Sequence, residues 1–207
     1  MDDIVIRAMA KWPDAPAVFG WLSLDRRGQW RIKSPAGKGP AGHGERIANP
    51  AVNDFIGRNY THDGQGRWYF QNGPQRVYVT LDYTPLVYRV VATRPLCFET
   101  HYGVAAAPLE GVWMDEAGNL ILRTGLGPGL LLDRDLSRVL DALVYLDGHA
   151  IDEERMVSLM DPADDAEGVY FNAGAASLPL AKMRSADAPA RLGYVREPRP
   201  AAGLPEC

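Results

Sequence analysis

The stretch RWYFQNGPQRVYV, residues 67–79, constrains the fold more than any other part of the chain. Two runs rich in aromatic and β-branched residues flank Asn72-Gly73, a pair suited to the left-handed backbone of a tight turn. The segment therefore reads as strands over 67–71 and 75–82 closed into a hairpin. Pro74 has no N–H for a sheet ladder and is expected at the first residue of the second strand. Alternation puts Trp68 and Phe70 on one face and Arg67, Tyr69 and Gln71 on the other, which predicts one core face and one polar face. Turn chemistry accounts for Asn72, Gly73 and Pro74. It does not account for Gln71, Gln75 and Arg76 beside aromatic area, a mixture suited to a planar or anionic partner.

A second hairpin signature lies in GWLSLDRRGQWRI, residues 20–32, where alternating runs flank a Gly-containing turn. The glycines of residues 37–44 predict a mobile loop, and without a following Gly-Lys-Ser/Thr they do not make a phosphate loop. Asn49 followed by Pro50 marks a helix N-terminus over about 50–59, with Val52, Phe55, Ile56 and Tyr60 facing a core. Strands are expected over 86–93 and 98–102. The hairpin layout returns at GVWMDEAGNLILR, residues 111–123, followed by a loop over 125–129 and a short apolar run over 130–132. Helices are then expected from the face of Leu136, Val139, Leu140 and Leu143 and from Asp152 to before Pro162, followed by the Tyr-Phe stretch over 168–174 and a less regular strand over 178–183. From Ser185 onward, Ala, Pro and Arg predict a loosely held or extended tail.

The chain also shows self-similarity. Residues 24–30 align with 114–120 at an offset of 90, and Trp68–Gly73 aligns with Val169–Gly174 at an offset of 101, in the same order. These matches predict an α+β fold of two related halves, each an antiparallel β-hairpin or small sheet packed with one or two helices. The expected boundaries are 1–105, 106–184 and a tail over 185–207.

The blocks Gly20-Trp21-Leu22, Gly28-Gln29-Trp30, Phe55-Ile56-Gly57-Arg58-Asn59-Tyr60 and RWYFQNGPQRVYVTLDYTP resemble the signature of an uncharacterised proteobacterial family of unknown function, over roughly residues 20–145. In layout the chain is also similar to a second such family with a repeated α+β motif. That likeness implies a signalling role and assigns no residue a function.

Hydrophobic residues make up 46% of the 207 and charged residues 23%, the balance of a globular protein with a core. A net charge of -4 and a pI near 5.6 argue against a phosphate-neutralising surface, so nucleic acid is not an expected partner. No apolar run approaches a membrane span, and the start lacks the pattern of a signal peptide, so a cytoplasmic location is expected. Cys97 and Cys207 read as free thiols.

Histidine adjoins a carboxylate at His62-Asp63 and Glu99-Thr100-His101, the seeds of a hydrolase-type alternative. On strand geometry Cys97 and His101 lie about 13 Å apart, too far for a thiol–imidazole pair. No nucleophile elbow occurs, and no cofactor or metal is expected. The leading expectation is therefore a non-enzymatic module that binds a small molecule or protein, able to form a homo-oligomer. Its expected binding residues are Tyr69, Gln71, Gln75, Arg76 and His101.

Overall fold

The computed structural model describes residues 1–33, 44–161, 163–174 and 177–200. The glycine-rich loop expected over 37–44 lies outside these residues except for Gly44, and so does Cys207. The chain forms two compact units. One comprises Met1–Pro85 and the stretch from Leu192 onward, and the other is Leu86–Arg191, carried as an insertion.

The first unit opens with helix α1 (Asp3–Lys11). Strands β1 (Val18–Leu24), β2 (Trp30–Ile32) and β3 (Glu45–Arg46) follow, then helix α2 (Pro50–Arg58). Strands β4 (Tyr60–His62), β5 (Trp68–Asn72) and β6 (Gln75–Leu81) complete a six-stranded sheet in the order β3-β2-β1-β6-β5-β4. Its central pair, β1 and β6, is parallel. The Asn49 side chain caps α2 by accepting from the Ala51 and Val52 amides. Phe55 of α2 meets Phe70 edge to face, with ring centroids 5.5 Å apart. Val52 points to solvent instead of the expected core.

The second unit begins with β7 (Leu86–Thr93), β8 (Leu96–Thr100) and β9 (Ala105–Ala106). The chain continues through β10 (Leu109–Met114), β11 (Leu120–Thr124), β12 (Gly127–Leu131) and β13 (Leu143–Tyr145). Helix α3 (Glu153–Ser158), β14 (Val169–Asn172), β15 (Ser177–Lys182) and helix α4 (Ala188–Leu192) follow. The nine-stranded sheet runs β13-β14-β15-β10-β11-β12-β7-β8-β9, with parallel pairs at β10/β15 and β12/β7. Tyr88 and Phe171 are among its most completely buried side chains. The Tyr88 hydroxyl meets Thr124 Oγ1 and donates to the Gly127 carbonyl, each at 2.8 Å.

The expected α+β class, hairpins packed with helices, is therefore incorrect. The protein is mostly β, 39% strand against 20% helix, built on two large mixed sheets. The apolar period at 136–143 misled because it belongs to two 3-10 turns, Asp133–Arg138 and Leu140–Ala142, and then to a strand that buries Leu143 and Val144. Gly127–Leu131, expected as a loop and a short run, is a central strand. Gly129 leaves room there for the Tyr88 ring, which a Cβ would approach within 2.5 Å. Hairpin signals also cannot reveal the parallel pairs, which join residues far apart in sequence.

One turn recurs three times. Asp25, Asp63 and Asp115 each accept two backbone amides on Oδ1, at 2.9–3.0 Å. Each turn then closes with glycine in the left-handed region, at φ 75° for Gly28, 73° for Gly66 and 77° for Gly118.

The strand orders also correspond. β3-β2-β1-β6-β5-β4 in the first unit has the same connectivity as β12-β11-β10-β15-β14-β13 in the second. Leu22, Ser23 and Leu24 pair with Val79, Thr80 and Leu81, as Val112, Trp113 and Met114 pair with Leu180, Ala181 and Lys182. Those pairs stand at the sequence offsets of 90 and 101.

Residues 192–200 are not loose. Leu192, Tyr194 and Pro198 are buried. The Val195 amide donates to Gly66 O at 3.0 Å, and the Leu81 amide donates to Arg196 O at 2.8 Å. Composition does not reveal this anchoring, because three buried side chains and a few backbone bonds suffice to fix so short a segment.

Candidate functional site

The β5–β6 hairpin pairs Tyr69 with Tyr78, Gln71 with Arg76 and Asn72 with Gln75. Gly73 and Pro74 are thus the two central turn residues, with Gly73 at φ 57°, and Pro74 lies in the turn instead of opening the strand. The register places Tyr69, Gln71, Arg76 and Tyr78 on one face and Phe70 and Val77 on the other.

The polar face is more enclosed than alternation alone suggests, since Trp68, Tyr69, Phe70 and Gln71 are all buried. Helix α1 explains part of this. Its Val5 is buried, Asp2 ion-pairs with Arg58 at 3.2 Å, and the Asp2 amide donates to Asn59 Oδ1 at 2.8 Å. The sequence signal for α1 was the four-then-three spacing of Val5, Met9 and Trp12 after two aspartates.

Between α1, the linker that follows it and the hairpin lies a cleft of about 420 Å³. Met9, Trp12, Pro13 and Pro74 give it apolar walls, and Gln71, Arg76 and Tyr78 give it polar groups. Among the described residues no carboxylate lines it. The Arg76 guanidinium sits 4.9 Å from the centre of the Tyr69 ring, and among the described residues no acid ion-pairs with it.

Gln71 is 1% exposed. Its Nε2 donates to Gly73 O at 2.9 Å, while its buried Oε1 has no hydrogen-bond partner among the described residues. The Gly73 carbonyl fixes the amide orientation, because the flipped amide would set oxygen against oxygen. Gln75 works differently: its Nε2 donates to Pro16 O at 3.1 Å and ties the linker to the hairpin.

Behind the cleft, Tyr78 stacks on Phe19, with centroids 4.6 Å apart and planes 9° from parallel. Its hydroxyl donates to Asp63 Oδ2 at 3.1 Å and accepts from Arg67 at 3.2 Å. Burial raises the Tyr78 phenol above its ordinary pKa. Burial also acts to raise the Asp63 carboxyl, but hydrogen bonds from the Arg67 side chain, the Arg67 and Gln65 amides and Tyr78 outweigh it and hold the group low. Phe19 and Tyr78 were missed as site residues because their pairing depends on the parallel contact between β1 and β6.

His101 lies in the second unit, where its Nδ1 accepts from the Val87 amide at 3.3 Å and its ring meets Tyr102 edge-on at 4.9 Å. His62 lies in the first unit, with Nδ1 3.1 Å from Asp63 O and its ring against Trp68. Each ring is thus engaged within its own unit. Among the described residues no group of three or more His, Cys, Asp and Glu is placed to hold a metal. None of the described helices is long and apolar enough to cross a membrane.

The second unit has its own cavity, of about 440 Å³. Its charged groups largely satisfy one another or the backbone. Glu116 accepts from the Ser185 amide at 2.7 Å and from its hydroxyl, Lys182 donates to Leu159 O, and Arg191 donates to Lys182 O at 3.4 Å. The first-unit cleft is the stronger candidate because it combines an unpartnered acceptor with a cation that has no carboxylate beside it.

Among solved structures, a DUF1285 family protein from Silicibacter pomeroyi DSS-3 is 19% identical over 81% of this chain and 84% of that one, with a TM-score of 0.51. A DUF1285 family protein from Shewanella baltica OS155 is 13% identical over 56% of this chain and 87% of that one, with a TM-score of 0.39. The first is a likeness of fold alone, and nothing rests on the second. Comparison with curated proteins gives no match. The family described as "Protein of unknown function (DUF2946)" matches over residues 1–199, and the protein therefore belongs to that family.

Proposed function

We propose that the protein is a binding module that recognises its ligand in the first-unit cleft above the β5–β6 hairpin. The observation that carries this reading is the cross-strand pair of Gln71 and Arg76, which sets a buried acceptor without a partner beside a cation without a carboxylate. A buried polar atom left without a hydrogen bond is unfavourable, so native structures keep few of them and a ligand donor is one way to satisfy it. The cleft volume falls within the range of small-molecule sites.

Two further expectations belong to this reading. The two units are copies of one motif, supported by their common strand order and by the shared offsets of their parallel pairs. The binding event serves signalling or regulation in the cytoplasm.

The test is a thermal-shift panel of metabolites on the full chain, repeated with Arg76→Ala. A ligand at 100 times its dissociation constant stabilises by about 2.7 kcal/mol. The reading requires a hit whose shift disappears in Arg76→Ala while the ligand-free melting temperature stays near wild type. A hit unaffected by Arg76→Ala would place the site elsewhere.

A further inference from the structure

We infer that the ligand class of this cleft is a small apolar carboxylic acid carrying an N–H donor next to the carboxylate, the pattern of an α-amino acid or its N-acyl derivative. The inference rests on the reading of the cleft as the binding site and extends it from place to chemistry.

Three features of the cleft select the class. Arg76 is the cation of a lining that contains no carboxylate, so the charge complement is an anion. Its guanidinium lies over the Tyr69 ring at 4.9 Å on an otherwise exposed side chain, and a planar carboxylate matches its donor fork. Gln71 Oε1 requires a donor, because an acceptor cannot be satisfied by the anion that Arg76 attracts. Gln71 and Arg76 are direct cross-strand partners, so the donor and carboxylate must lie close together on the ligand. Met9, Trp12, Pro13 and Pro74 then favour an apolar remainder.

The linker of residues 13–17 has no regular secondary structure. It borders the cleft and is tied to the hairpin by the Gln75–Pro16 hydrogen bond. A ligand N–H group that reaches Gln71 Oε1 satisfies the open acceptor.

The experiment is isothermal titration calorimetry of the full chain with four probes: leucine, N-acetylleucine, leucinamide and 4-methylpentanoate. Leucinamide lacks the carboxylate and 4-methylpentanoate lacks the N–H. The expected result is binding of leucine or N-acetylleucine, with about a tenfold or greater loss for each of the other two. Gln71→Met should remove the preference for N–H over 4-methylpentanoate, and Arg76→Ala the preference for carboxylate over leucinamide. Equal binding of leucine, N-acetylleucine and 4-methylpentanoate to the wild-type chain would overturn the ligand class even if a variant fails to fold. So would no binding of any probe at millimolar concentration. If a ligand of another class binds and Arg76→Ala abolishes it, the site reading stands while the class falls. If leucine binds equally well to both variants, the site reading itself falls.

Discussion

Replacing Gly66 with alanine should displace residues 193–196 locally, and the structure sets the scale of the effect. Gly66 has φ 73°, where an L-residue is strained by about 1–2 kcal/mol. Its added Cβ would lie 2.3 Å from the Gly193 carbonyl oxygen, a backbone atom that cannot rotate away as a side chain would. If the segment yields, the bonds from Val195 to Gly66 and from Leu81 to Arg196 are lost, at about 1 kcal/mol each. Complete release would also expose Leu192 and Tyr194, each worth about 1.5–3 kcal/mol. The less unfavourable route is local displacement, so the expected loss is about 3–4 kcal/mol. Urea denaturation of Gly66→Ala beside Gly64→Ala measures it, because a Cβ at Gly64 meets nothing within 4 Å. Gly64→Ala should stay within about 0.5 kcal/mol of wild type. Tyrosine ionisation separates the two routes: burial holds the Tyr194 phenol up, so local displacement should leave it raised, whereas complete release should return one phenol to about pH 10. If Gly66→Ala were as stable as Gly64→Ala, the close approach would not constrain this turn.

Gly129→Ala should lose about 1–3 kcal/mol in the same assay, because its Cβ would meet the Tyr88 ring at 2.5 Å and Leu86 Cβ at 3.0 Å. Wild-type stability would show that the Tyr88 ring moves without loss. At alkaline pH the fold should weaken, since burial raises the Tyr88, Tyr102 and Tyr194 phenols. The folded state favours their protonated forms, so this stability is fully present below the unfolded pKa of about 10 and is lost as pH rises through the folded values. Urea midpoints should therefore hold to about pH 10 and then fall, with a smaller fall in Tyr88→Phe; an unchanged slope in that variant would remove Tyr88 as a source.

Much of the local structure was legible because local chemistry specifies it. Asn49-Pro50 starts α2, Asp152 caps α3, and the Asp-x-x-Gly turns close hairpins where their glycines supply positive φ. The overall class was misread because it depends on long-range pairing. Val18 with Val77, Val112 with Leu180 and Leu86 with Gly129 are parallel contacts that no short-period pattern announces. The hairpin's polar residues were visible in the same way. Their enclosure was not, because it depends on Met9 and Trp12 arriving from the far end of the sequence and on Phe19 stacking through a parallel pair. His101 was singled out for its acidic neighbour Glu99, but Glu99 ion-pairs with Arg89 and the histidine accepts from a backbone amide.

The insertion of Leu86–Arg191 within the first unit bears on the order in which the protein can be made. All six strands of the first sheet precede Pro85, so that sheet can pair while the second unit is still being translated. Until residues 192–200 leave the ribosome, the Leu81 amide lacks the Arg196 carbonyl and the Gly66 carbonyl lacks the Val195 amide. The nascent first unit therefore waits, with one seam open, for roughly 10 s at an elongation rate of about 10 residues per second. During that interval a chaperone or a wrongly paired strand can reach it, and closure of the seam by Leu192 and Tyr194 marks the end of its biosynthetic vulnerability.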